Sequence, residues 1–540
     1  MASSSEENNQ KIRKPIGEAL QEKRGRRFLG LSLSDFVRYF FSGNATVAIV
    51  VVVLIMVFLF REGAGFVPMY QDSLALYRKA GLEFADSIRS QVDRHKELSR
   101  ELNRLRLDAL DHYKNQGMDL EAAKGRISEF DRFRDRFSEA IAEHEDLSEE
   151  LKDYVVGVRD QAVSNINLKK SIQVFIDQGK PEMEKQIRGM IQEIDYSEVA
   201  EYCRGTLPEY RKHNSTLDAE ISSLLQSRPQ LPTPELEKEF KKVTANIEDY
   251  QDFLGKYIAQ AEKWDPYQKV PLFRSLFAFL TGKRWITASF WQDFYGILPL
   301  FTGSVMISAL ALSLAVPFSV VAAIYVNQIA GPAELRIIKP YIEFIEALPS
   351  IVLGFFGIAV LGTALRNFSQ IEWLSWFPGF PMAERLTIAT AGILLALMAI
   401  PTIFTLVEDA LNNVPRHYIE ASFALGANRM QTIFNIMIPS ALSGIVAAVL
   451  LGLGRVIGET MVVLLCAGGM IAIPDFTDGI GAFFQPAHTM TGIIAQELGE
   501  VELGSLHYRA LFMVGLVLFF ISLLLNYCSQ FIIRKFRISE

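Results

Sequence analysis

Six runs of roughly 17–25 mostly apolar residues punctuate this chain. They lie at about 40–60, 299–327, 341–364, 387–408, 441–465 and 510–533. About 20 helical residues cover the hydrocarbon core of a bilayer, and a helix satisfies its own backbone hydrogen bonds there. The runs therefore predict an all-α integral membrane protein with six spans. Between the first and second runs the chain is charged and polar, so residues 61–298 form a large water-exposed insertion. The third run is the least regular, because Glu343 and Glu346 stand at its start.

Lys11, Arg13, Lys14, Lys23, Arg24, Arg26, Arg27 and Arg38 precede the first run, and Arg534, Lys535 and Arg537 follow the last. Basic flanks mark the cytoplasmic side, and an even number of spans returns the chain to the side where it began. Both termini are thus expected in the cytoplasm. The first run lies too deep for an ordinary cleaved signal and has no clear small-x-small site, so it reads as a retained anchor. The expected plan is a cytoplasmic tail at 1–39, a first span at 40–60, an extracytoplasmic insertion at 61–298, and a five-span core at 299–540.

The insertion has helical composition. No proline occurs from Gln71 to Lys180, and Glu, Lys, Arg, Leu and Ala favour helix. Leu74, Tyr77, Gly81, Phe84, Ile88 and Val92, then Leu98, Leu102 and Leu105, recur at three- and four-residue steps, an amphipathic pattern. Asn115-Gln116-Gly117 reads as a turn, and Thr233-Pro234 as an N-cap followed by proline at the first helical position. Several long antiparallel helices are expected, the first of them reaching about 66 Å at 1.5 Å per residue. Such a bundle suits a rigid solvated body or a docking platform for a partner protein.

Other chemistries find little support. The formal charge of −7 gives no broad basic face for nucleic acid. The three cysteines, Cys203, Cys466 and Cys528, and the seven histidines show no metal-ligand spacing. Neither a metal nor another cofactor is expected. The Gly-Lys pairs at Gly179, Gly255 and Gly282 continue with Pro, Tyr and Arg. None makes a GxxxxGK[ST] phosphate loop, so any ATPase must be a separate chain.

Two segments carry functional signals. The first is EASFALGANRMQTIFNIMIP, Glu420 to Pro439, between the fourth and fifth runs. Ala421, Ser422 and Ala424 are small enough for a short helix to press into a groove, and Glu420 offers a carboxylate to a basic partner. Gly426 permits a sharp turn, and Pro439 suits the first turn of the next helix. The second is LGLGRVIGETMVVLL, Leu451 to Leu465, where Arg455 and Glu459 stand one helical turn apart inside an apolar run. An arginine near a bilayer centre costs about 2.5–3.5 kcal/mol on translocon scales and usually faces a cavity or a partner. Counted from Ser443, Arg455 lies roughly 18 Å along the helix. Gly452, Gly454 and Gly458 leave room for close backbone approach. Either Arg455 and Glu459 neutralise each other and lock packing, or Arg455 offers its donors to a passing oxyanion while Glu459 orients it. In the second case Glu459 also accepts a hydrogen bond from a protonated substrate oxygen, which favours phosphate over sulfate.

The Glu420–Pro439 segment resembles the EAA loop of ABC-importer permeases, EAA-x3-G-x9-I-x-L-P, with Ser422 for Ala and Ile438 for Leu. The GLGRVIGETMVV segment resembles the Gly-Arg-x-x-Gly-Glu-Thr stretch of phosphate-specific (Pst) ABC permeases. Met461 is closer to the PstC than to the PstA subunit type. Phe279–Ser308, Ile342–Gly357 and Gly504–Asn526 are similar to the same family's second, third and last spans. The resemblance covers 279–540 well and 1–62 loosely, and leaves 67–270 as an addition to the family core.

The resemblance implies a six-span type I importer permease in a bacterial inner membrane. It implies Arg455, Glu459, Thr460 and Glu343 along the substrate path, and Glu420, Ala421, Ser422, Gly426 and Pro439 at the ATPase contact. It also implies several partners: inorganic phosphate, a second PstA-like permease subunit, an ATPase dimer and an extracytoplasmic phosphate-binding protein. The alternatives are a permease for another oxyanion, or a membrane-anchored coiled-coil scaffold or sensor.

Overall fold

The computed structural model describes residues 33–289, 291–374 and 376–536. The basic cluster from Lys11 to Arg27, and Arg537, lie outside the described residues. Within them the regular structure is helical, apart from a two-residue antiparallel pair, Trp285–Ile286 (β1) with Phe294–Tyr295 (β2). Among the described residues six helices are long and apolar enough to cross a bilayer, as the hydropathy pattern predicts.

The first span belongs to α1, Leu33–Lys79, one 47-residue helix that leaves the apolar zone and continues into the insertion. The amphipathic pattern does not run on unbroken as expected. It stops at Gly81, whose φ of +83° suits glycine alone. A Cβ there would meet Cys203 Sγ and Val155 Cγ1, each at 3.0 Å. The sharp corner therefore also serves tight packing of three helices.

Helix α2, Leu82–Asn115, follows and ends at the predicted turn, with Gly117 at φ +79°. The insertion then runs through α3 (Leu120–Arg126), α4 (Ser128–Glu139), α5 (Ala142–Asp177), α6 (Pro181–Arg188), α7 (Tyr196–Gly205), α8 (Leu207–Gln226) and α9 (Pro234–Glu262). Thr233 caps α9 as its sequence suggests, its hydroxyl accepting from the Leu236 N–H at 3.2 Å.

Two apolar cores lie along this bundle. One, near the membrane, gathers Tyr77, Phe84, Ile88, Val155, Trp264 and Trp291. The distal one gathers Leu98, Leu102, Leu105, Phe130, Phe137 and Phe240. The periodic positions read from the sequence supply one face of each.

Polar groups are sealed between these cores. His95 stacks on Phe137 at 4.1 Å and its Nε2 bonds the Phe137 carbonyl at 2.6 Å. His144 is buried, and its ring lies 5.8 Å from His213. Burial holds both His95 and His144 down to about 4, and the neighbouring His213 acts in the same direction on His144.

The unfolded chain takes up these protons near pH 6.5 while the folded chain refuses them until about pH 4. Stability is therefore complete above pH 6.5 and falls as the pH drops through that window, by roughly 3 kcal/mol per histidine. The expected result is a lower unfolding temperature of the full chain at pH 5 than at pH 7.5. His144→Leu should reduce that slope, since it removes one of the two buried imidazoles. An equal pH slope in wild type and variant would refute this account.

The remaining elements build the membrane core. Helix α10, Leu272–Thr281, packs on α1 and leads through the β pair to α11, Leu298–Gln328. Next come α12 (Pro332–Glu346) and α13 (Ser350–Ser369), which has a π-helical turn at Gly357–Leu361. Helices α14 (Ile388–Asn412) and α15 (Arg416–Ala424) follow. Then come α16 (Arg429–Gly458), α17 (Met461–Cys466), α18 (Met490–Glu497) and α19 (Leu506–Phe536). Helices α11, α14 and α16 pack on one another, and α1 packs on α19. Small residues line these seams: Ala311, Ala315, Ala391, Ala396, Ala399 and Ala448 are buried in the central cluster, as close packing in lipid requires.

Two expected spans are interrupted. The apolar run at 341–364 is not one helix. Pro349 cannot continue α12, and the chain turns at Ala347-Leu348 before α13 begins at Ser350. Glu343 and Glu346 therefore belong to a separate amphipathic helix ahead of the third span. The run at 441–465 breaks as well, because α16 ends at Gly458 and Glu459 is extended, with ψ 133°. The two segments beyond the breaks, Ser350–Phe356 and α17, pack together, with Cys466 Sγ donating to the Gly354 carbonyl at 3.3 Å.

Candidate functional site: an arginine between two helix breaks

Arg455 is carried by the last turn of α16, three residues before that helix stops at Gly458. Its Nη1 donates to Thr402 Oγ1 at 2.5 Å and to Glu346 Oε1 at 3.3 Å. Thr402 follows Pro401, inside the fourth span. Glu346 is the last residue of α12. Three helices thus meet at one guanidinium, two of them at the points where they end. The Arg455 and Glu346 side chains are 42% and 46% exposed, so the pair lies on an open side of the chain, not in its core. Both contacts use Nη1, and the Nε–Nη2 edge takes part in neither. A planar fork of this kind suits two oxygens of one anion.

The expected partnership of Arg455 with Glu459 does not form. One helical turn separates them in sequence, but the helix ends between them, which removes their common face. Glu459 instead turns its carboxylate to accept from the Met461 N–H at 3.2 Å, at the start of α17. Its carbonyl accepts from Thr491 Oγ1 at 2.9 Å, which ties the break to α18. The Thr460 hydroxyl donates to the Gly458 carbonyl at 3.3 Å and so also serves the break. Glu343 is exposed on α12 and is not among the polar contacts of Arg455.

Sequence reasoning missed Thr402 and undervalued Glu346. Thr402 carried a faint signal, a Pro-Thr pair inside an apolar run, where proline already leaves a carbonyl without its donor. Glu346 carried a clearer one: a carboxylate three residues before Pro349 sits at the end of whatever helix precedes it.

The second site is the loop between the fourth and fifth spans. Helix α15 ends at Ala424, and Gly426 turns the chain at φ +86° with the Gly426 N–H on the Phe423 carbonyl at 2.9 Å. Asn428 and Gln431 form a reciprocal capping box, both bonds at 2.9 Å. Ser422, the small residue standing second after Glu420, is buried and bonds the Thr432 hydroxyl at 2.9 Å. Its hydroxyl thus fastens the two arms of the turn. Glu420 and Ala421 are exposed, beside an apolar surface of Phe423, Leu425, Met430 and Phe434, with Leu425 89% exposed.

Pro439 stands in the first turn of the α-helical segment Ile438–Gly458, as its residue type suggests. That segment is continuous with Arg429–Thr432 through a π-helical turn at Ile433–Met437, where the Ile438 N–H reaches back to the Ile433 carbonyl. The wider turn accommodates a proline inside a continuous helix.

Comparison with known proteins agrees with this architecture. Residues 315–538 match the family described as binding-protein-dependent transport system inner membrane component. The probable ABC transporter permease protein YqgH of Bacillus subtilis is 32% identical over 47% of this chain and 77% of that protein. The phosphate transport system permease protein PstC of Haemophilus influenzae is 30% identical over 47% of this chain and 82% of that protein. The PstC protein of Pasteurella multocida is 29% identical, over 49% and 82%. Among solved structures, the inward-facing MetNI methionine ABC transporter matches at 20% identity and a TM-score of 0.32, over 45% of this chain and 95% of that one. That likeness is too weak for any residue-level comparison. The chain belongs to the binding-protein-dependent transport system inner membrane components, and is a six-span ABC importer permease subunit interrupted by a large helical insertion.

Proposed function

We propose that this chain is the PstC-type permease of an ATP-driven importer of inorganic phosphate. It would reside in a bacterial inner membrane, with its termini and the Gly426 loop on the cytoplasmic side and the insertion outside. It would pair with a PstA-like subunit, receive phosphate from an extracytoplasmic binding protein, and take its drive from an ATPase dimer seated on the Phe423–Leu425 surface. The observation that carries the reading is Arg455, held at a helix break by Thr402 and Glu346 with one edge of its fork uncommitted. The naming of several relatives as phosphate transport permeases supports the choice of anion. In transporters, interrupted helices commonly frame the substrate path, and here two breaks flank one cation. Uptake of labelled phosphate against labelled sulfate, in cells lacking the chain and in cells given it back, tests the reading. Restored phosphate uptake supports it, and restored sulfate uptake alone refutes it.

Glu346 gains a role in this scheme. A carboxylate on Arg455 competes with an incoming anion for the same donors, so phosphate must displace it. An exposed pair of this kind contributes about 0.2–1 kcal/mol. Glu346→Gln should therefore lower the apparent KM for phosphate by about 1.4- to fivefold without raising the maximal rate. An unchanged KM in transport-competent protein would count against the competition.

A further inference from the structure

Helix α10, Leu272–Thr281, has one face packed and one face bare. On the packed face Ser275 and Phe279 are fully buried. The Ser275 hydroxyl bonds the Val67 carbonyl at 3.3 Å, and the Phe279 ring lies 5.1 Å from that of Phe66. On the bare face Leu272, Phe273, Phe277 and Leu280 are all exposed, Phe273 by 73%, and the Phe273 and Phe277 rings stack at 6.3 Å. Single exposed apolar residues are ordinary, but four on one side of a ten-residue helix form a patch that water does not explain.

The position of the helix indicates what covers the patch. The exposed apolar band of α1 runs from Tyr39 to Phe60, the part of the chain that faces lipid. Phe66 and Val67, against which α10 packs, stand six and seven residues beyond Phe60, about 9–11 Å along the helix. A bilayer's polar layer extends about 5–7 Å beyond its hydrocarbon core on each side, within reach of a phenylalanine ring projecting from α10. The bare face thus begins where the lipid-facing band ends.

Charge points the same way. From residue 266 to residue 292 the sequence has no Asp or Glu but has Lys269, Arg274, Lys283 and Arg284. Arg274 and Arg284 also reach Glu83 at 3.3 Å and Asp86 at 3.9 Å on α2. Apolar aromatics on one face with basic residues at the flanks match a helix lying in a membrane surface rich in anionic headgroups.

We propose that Leu272–Thr281 is an interfacial membrane helix. Its Phe273–Phe277 face lies in the headgroup–acyl boundary of the leaflet on the insertion's side, and its partner is the lipid itself. The proposal holds whichever anion the subunit carries.

A nitroxide placed at Phe277→Cys, and separately at Phe273→Cys, tests it. The full chain carries Cys528→Ser, the other two cysteines being buried, and is reconstituted in vesicles of phosphatidylethanolamine and phosphatidylglycerol. Collision rates with oxygen, which partitions into lipid, are compared with those of a water-soluble nickel chelate. The same label at Phe253→Cys, an exposed site on α9 within the insertion, serves as the water-facing reference. At 273 and 277 oxygen should exceed nickel, and at 253 nickel should exceed oxygen. Nickel dominance at 273 and 277 would overturn the proposal by placing the face in water. Low rates with both reagents would overturn it by showing that protein covers the face.

Discussion

Arg455→Ala should reduce phosphate uptake by on the order of 10²-fold while leaving the chain inserted and assembled with its partners. The size follows from the chemistry of the site. A charge-assisted fork on an anion that has left water contributes a few kcal/mol, and 1.4 kcal/mol is a factor of ten. Folding should be spared, because the side chain is 42% exposed. Arg455→Lys should recover little, since an ammonium keeps the charge but loses the planar edge. Membrane abundance and copurification with the ATPase provide the control. Normal uptake by a correctly inserted Arg455→Ala chain would remove the basis for an oxyanion path at this position.

The same arginine shows where the sequence was informative and where it was not. A cation in an apolar run is visible in one dimension, because its cost depends on local hydropathy alone. Its partners are not visible. Thr402 and Glu346 lie 53 and 109 residues away and meet Arg455 only because three helices converge. The nearest carboxylate in sequence, Glu459, was a reasonable expectation on an uninterrupted helix. The break at Glu459 carries no proline to announce it, unlike the break before Pro349. Two of its hydrogen bonds are local, but the third comes from Thr491, which no local pattern connects to it. Gly81 shows a similar limit: one glycine among good helix formers suggests a tolerated residue, and only the approach of Val155 and Cys203 turns it into a corner.

The features that were legible are those fixed by local physics. Hydropathy marked six spans, and the Thr233 cap, the Gly117 turn and the left-handed Gly426 followed from residue type. Pro439 was legible as a first-turn residue of an α-helical segment. The π-helical turn that joins this segment to Arg429–Thr432 was not, because it depends on how the preceding five residues hydrogen-bond.

Gly426→Val should abolish coupling without unfolding the chain, and this separates the drive from the substrate path. A Cβ at Gly426 would meet nothing within 4 Å, so the substitution creates no clash. Its cost lies in the backbone. A β-branched residue at φ +86° is a steric outlier, and a left-handed conformation costs an L-residue roughly 1–2 kcal/mol. The strain is relieved if the turn opens, which moves α15 relative to the Asn428 cap and pulls on the Ser422–Thr432 hydroxyl contact. The Phe423 and Leu425 surface then no longer presents one shape to an ATPase. Transport should fall by at least about tenfold, the equivalent of 1.4 kcal/mol, and ATP hydrolysis should no longer respond to substrate. Gly426→Asn should retain most activity, because asparagine tolerates the left-handed region. Equal loss in the Val and Asn variants would point to the added side chain rather than to backbone geometry, and full activity in Gly426→Val would show that the turn transmits nothing.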